Sequence, residues 1–110
     1  MIEETLGKIE DRLQQTEAIK DEQKAELIRL VSTLRNEVSQ LSRTHGEQAQ
    51  SITGFAAVST HEATREEKDP KLVELSLAGL KSSVEGFEKS HPKLVQLVDR
   101  ICTTLANLGV

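Results

Sequence analysis

Phe87-Glu88-Lys89-Ser90-His91-Pro92-Lys93-Leu94 reads as the end of one helix, a hard corner and the start of another. Pro92 has φ fixed near the helical value and no N–H, which suits the first turn of a helix. It also pushes the residue before it out of the α region, so the break falls at Ser90-His91. Ser90 or His91 then caps the new helix, and the Ser90 hydroxyl is the better capping group. Further on, Leu105-Ala106-Asn107-Leu108-Gly109-Val110 puts Gly109 one step past the last apolar position, where a left-handed C-cap is expected. Phe87, Ser90, His91, Pro92 and Gly109 thus form an architectural set that separates the last two helices.

Upstream of the corner, Asp69-Pro70 supplies an N-cap and a first-turn proline. Val73, Leu77, Leu80, Val84 and Phe87 follow at 4, 3, 4, 3 spacing. This predicts a helix over about 70–89, its stripe widened by Leu72 and Leu75. Gly79 and Gly86 lie seven apart, on one line where a neighbouring backbone could come close. Downstream, Leu94, Val98, Ile101, Leu105 and Leu108 predict a helix over about 92–108. Pro70–Leu75 and Pro92–Leu97 share five of six residues at an offset of 22, as two similar helix starts rather than a solenoid repeat.

The first half carries two more stripes. Ile2, Leu6, Ile9 and Leu13 predict a helix over about 2–15. Leu27, Val31, Leu34, Val38 and Leu41, widened by Leu30, form the strongest periodic segment and predict a helix over about 21–43. At 1.5 Å per residue that helix is about 35 Å long and outreaches its partner in the αα-hairpin. Its stripe is therefore the candidate interaction surface. Residues 44–68 are weaker: Ala49, Ile52, Phe55, Ala56 and Ser59 make a thin stripe that Gly46 and Gly54 interrupt. Two readings stay open there, a helix over about 46–65 or an extension that is a partly flexible connector.

Bulk composition narrows the class. At 110 residues the chain makes one domain, 1–110, and 36% hydrophobic with 2% aromatic residues means an aliphatic core. A net charge of −4 argues against nucleic-acid binding, which depends on neutralising phosphates. No apolar run reaches membrane-spanning length, and no secretory leader is read. Cys102 is the one cysteine and has no internal disulfide partner, so a reducing cytoplasm is the expected compartment.

The motifs with chemical potential are few. His61-Glu62-Ala63-Thr64-Arg65 resembles half of a zinc-protease helix, but Arg65 stands where the second imidazole belongs. Glu88-Lys89-Ser90-His91 has the Glu-x-x-His spacing of bundle di-iron sites; those sites need a second copy and further carboxylates. His91 suits a corner residue whose ring caps the helix or bonds a neighbour. Cys102, four residues past Val98, suits a small core hydrophobe. No set of acid, base and nucleophile emerges, so no catalytic residue, cofactor or metal ligand is assigned.

The corner Phe87-Glu88-Lys89-Ser90-His91-Pro92 with Leu94, and the ending Leu105-Ala106-Asn107-Leu108-Gly109-Val110, resemble a family of short bacterial helical proteins of unknown function. Its members end in F-E-x-S-H-P-x-L and then A-L-x-x-[ML]-G-[IV]. Their first half, like Leu6 to Leu41 here, is a short helix, an acidic turn and a longer leucine-rich helix. Residues 44–68 look like an extension relative to that pattern. The resemblance implies an all-helical fold and supplies no catalytic residue or ligand.

These readings converge on an all-α bundle of four to five amphipathic helices. Sustained 4, 3 spacing favours coiled-coil-like left-handed packing. The expected role is non-enzymatic: protein–protein contact, with a homodimer favoured and another helical protein as a further partner. The alternative is a small ligand- or metal-binding bundle using His45, His61 or His91.

Overall fold

Five helices follow one another in the computed structural model, which describes residues 1–17 and 19–108. They are α1 (Ile2–Gln15), α2 (Asp21–Leu41), α3 (Gly46–Thr64), α4 (Pro70–Ser83) and α5 (Pro92–Leu108). Among the described residues there is no strand. The bundle measures 37 × 24 × 21 Å.

The aliphatic stripes explain the assembly. Leu6, Ile9 and Leu13 of α1 meet Leu27, Leu30, Val31, Leu34, Val38 and Leu41 of α2 in one core, which continues through Leu80 of α4 and Leu94, Val98, Ile101 and Leu105 of α5. Each such side chain fully withdrawn from water contributes about 1.5–3 kcal/mol before entropy is counted. α3 touches all four other helices and is the centre of the bundle, whereas α4 packs only on α3 and α5. α2 is also covered within the chain by α5 and α3, and α1 extends along it as far as Ser39, whose hydroxyl donates to the Glu3 carboxylate at 3.0 Å. Two ion pairs at the α2–α5 seam, Arg100 to Glu26 at 3.1 Å and Lys93 to Glu37 at 3.8 Å, are exposed and add little.

Residues 46–64 form α3 although its stripe is thin. Ala49, Ile52, Ala56 and Ala63 are buried, and between them lie Thr53, Ser59, Thr60 and Thr64, also buried. The threonine hydroxyls donate back to carbonyls four residues earlier: Thr53 to Ala49, Thr60 to Ala56 and Thr64 to Thr60, at 2.8, 2.9 and 2.7 Å. Ser59 Oγ donates across to the Ser76 carbonyl of α4 at 3.0 Å. Satisfying these hydroxyls removes the penalty of burying them, so small polar residues serve as core where the helices run close.

The fourth helix departs from the expected 70–89. It begins as read, with the Asp69 carboxylate accepting the Lys71 N–H at 3.0 Å and Pro70 in the first turn. It ends at Ser83, and residues 84–90 form turns. Gly86 takes a φ of +96°, a conformation open to glycine and costly for any residue with a Cβ. Gly86 is therefore not on a helical line with Gly79. Val84 and Phe87 keep the 4, 3 spacing because the turn folds both into the core, not because the helix continues.

At the start of α5, Pro92 occupies the first helical position as expected. The Ser90 hydroxyl does not cap the helix; it lies 2.9 Å from Nδ1 of His91. The C-cap assigned to Gly109 falls outside the described residues.

Candidate interaction surface

The stripe assigned to interaction, Leu27, Val31, Leu34, Val38 and Leu41, is spent inside the chain: none of these residues exceeds 2% exposure. α5 and α3 complete the cover that a second molecule would otherwise have to provide. In this fold the α2 stripe is core, not a docking surface.

Exposed apolar side chains gather elsewhere. Among the described residues, and apart from Met1, the exposed large hydrophobic residues are Phe55 at 40%, Val58 at 48%, Leu72 at 40% and Leu75 at 57%. Phe55 and Val58 stand on α3, Leu72 and Leu75 on α4. Each pair is three residues apart, so each lies on one side of its helix. Leu72 and Leu75 do not widen the buried stripe of α4, and Phe55 does not belong to that of α3. The buried line of α3 runs Ala49, Ile52, Ala56, Ser59 and Ala63, which turns Phe55 outward.

Two contacts fix the α3–α4 register on this face. Ser59 reaches the Ser76 carbonyl, and the Phe55 ring lies over Gly79, where an added methyl would collide with it. The close approach foreseen at Gly79 is thus made by a ring rather than a backbone. Gly79→Ala gains about 1 kcal/mol of helix propensity but forces the half-exposed ring aside. We expect a net loss of about 1 kcal/mol in urea unfolding. In a Phe55→Ala background the same change becomes stabilising; a loss in both backgrounds would show that the ring is not the cause.

The histidines divide. His45, which precedes α3, and His91, which precedes α5, meet at one end of the bundle with their ring centroids 6.0 Å apart. Phe87 stands edge-to-face with both, at 5.4 Å from His45 and 5.3 Å from His91. Each imidazole has Nδ1 beside the preceding hydroxyl, Thr44 Oγ1 at 2.8 Å and Ser90 Oγ at 2.9 Å. His61 is remote from this cluster in sequence and setting: it is exposed on α3, with Nε2 4.0 Å from Glu62, whose carboxylate binds Arg65 at 2.9 Å. Among the described residues no three His, Cys, Asp or Glu side chains are grouped to hold a metal ion.

Cys102 is 2% exposed in the α4–α5 seam, 3.9 Å from the Leu77 carbonyl. Burial pushes its thiol up to about 11, so it is protonated at neutral pH. On the surface, the Arg29 hydrogen bond holds the Glu26 carboxyl below its usual range, with Arg100 assisting. No helix among the described residues is long and apolar enough to cross a membrane.

One family model matches the chain, a domain of unknown function designated DUF4404, over residues 29–110. This chain belongs to the DUF4404 family. The match takes in most of α2, all of α3, α4 and α5, and both the exposed α3/α4 face and the ring cluster. It also spans 44–68, the segment read from sequence as an extension, and leaves α1 outside. No curated protein and no solved structure matches the chain.

The exposed face carried a sequence signal that periodicity alone does not decode. α4 has more apolar positions than one stripe can use: Leu72 and Leu75 lie off the line of Val73, Leu77 and Leu80. Surplus apolar residues beside a complete stripe are what a second contact surface looks like in one dimension.

Proposed function

We propose that this chain acts without catalysis, as a helical module that works through protein–protein contacts and associates with itself. The observation that carries the reading is the outer face of α3 and α4, where Phe55, Val58, Leu72 and Leu75 are exposed, whereas among the described residues the other large hydrophobic side chains except Met1 are buried or partly buried. A group of large apolar side chains on one face marks a contact surface more often than an idle one.

Surface area supports self-association. The chain exposes 6687 Å² at a mass of 12.2 kDa. Monomeric proteins of that mass expose about 6,100 Å². The surplus of about 600 Å² is close to what each partner gives to a small specific interface.

Light scattering over a hundredfold range of concentration tests the proposal. The expected result is twice the 12.2 kDa chain mass at the upper end, falling towards one chain on dilution. A mass of one chain throughout overturns self-association.

A further inference from the structure

We propose that the α3/α4 face is an isologous interface, packing against the same face of a second copy across a two-fold axis near Val58 and Leu75, and closing at two chains. This rests on the self-association reading and adds to it the face, the symmetry and the stopping point.

Symmetry follows from the number of apolar surfaces. A head-to-tail contact needs two different complementary patches on each molecule and propagates unless its rotation closes. Among the described residues the exposed large hydrophobic side chains apart from Met1 all lie on α3 and α4. Between copies of this chain a single patch can meet only its own counterpart, and once two copies meet no second exposed apolar patch among the described residues is left to recruit a third.

The register supplies self-complementarity. Ser59 opposite Ser76 and Phe55 opposite Gly79 set α3 antiparallel to α4. Val58 and Leu75 then fall near mid-length, with Phe55 towards one end of the face and Leu72 towards the other. A two-fold axis across the middle sets Val58 and Leu75 against their own copies, and Phe55 against Leu72 of the other chain. α4 is free to make this contact because only α3 and α5 pack on it within the chain. Of the acidic groups nearby, Glu62 already has Arg65 at 2.9 Å, and Glu74, next to Leu75, lines the α4–α5 cleft together with Lys81.

The test uses the whole chain with a nitroxide label at Lys71→Cys, an exposed α4 position one turn before Leu75 and outside the cleft that Cys102 lines. Cys102 is buried with a protonated thiol, so labelling is confined to the new cysteine. In a sample that light scattering shows to be dimeric, the label-to-label distance is expected to fall within the 24 Å width of one copy. Chains joined back to back would hold the labels about two thicknesses of 21 Å apart. A dimer with a distance beyond 24 Å overturns this interface and leaves self-association standing; a monomer overturns both. As a second measurement, Leu75→Glu brings two carboxylates together at the axis and is expected to weaken dimerisation at least a hundredfold, since like charges opposed in an interface cost several kcal/mol. Because Leu75 is 57% exposed, helical circular dichroism should not change. A Leu75→Glu chain that still dimerises with wild-type affinity refutes the proposal.

Discussion

Phe87→Ala is expected to cost about 3–5 kcal/mol in urea unfolding, the range for deleting a buried aromatic ring. The ring is 8% exposed and stands between His45 and His91, so it joins the corner ahead of α3 to the corner ahead of α5. The backbone around it is committed to that position. Phe87 N–H donates to the Val84 carbonyl at 3.1 Å and His91 N–H to the Phe87 carbonyl at 2.8 Å. The Glu88 carboxylate accepts the Gly86 N–H at 3.0 Å. Removing the ring leaves a cavity that this hydrogen-bonded turn is poorly placed to collapse.

Pro92→Ala should cost less than about 1 kcal/mol by the same measurement, because alanine is also accepted in the first turn of a helix. The sequence makes Pro92 the feature that keeps two helices apart. In the fold, α4 has already stopped at Ser83, and Gly86 with its φ of +96° lies in the gap. Fusing the two helices would require that glycine to change conformation and Phe87 to leave the core. A larger loss at Pro92 than at Phe87 would return control of the corner to the proline.

How far the fold could be read from sequence depends on what kind of residue does the burying. The stripes of α1, α2 and α5 are leucine, isoleucine and valine at helical spacing, and the structure buries the lines that spacing picks out except for Ile2, which is partly buried. α3 buries one isoleucine, several alanines, whose apolar surface is small, and hydroxyl side chains, which have no hydropathy signal because their burial depends on hydrogen bonds such as Ser59 to Ser76. The end of α4 was hidden by Val84 and Phe87, which keep helical spacing while sitting in turns. Spacing reports which residues face the core, not whether the backbone between them is helical. The exposed face was hidden differently. Leu72, Leu75 and Phe55 are apolar and near a stripe, and only packing decides on which side of it they fall.

Leu34→Ala separates the two surfaces that the leucines can build. Leu34 is 0% exposed at the centre of the α2 stripe, so truncation removes packing from the core and is expected to destabilise the chain by about 2–5 kcal/mol. Leu75→Ala removes a side chain already 57% in water. At protein concentrations low enough to keep the chain monomeric it should change stability by no more than about 0.5 kcal/mol. Dilution is essential to the comparison, because association raises apparent stability by mass action and would make an interface residue look like a core residue. If the α2 stripe were the docking surface, Leu34→Ala would lower the mass by light scattering and leave the urea midpoint of the dilute chain in place. Burial of Leu34 requires the midpoint to fall, and the pair of substitutions measured side by side assigns each leucine to the inside of one chain or to the contact between two.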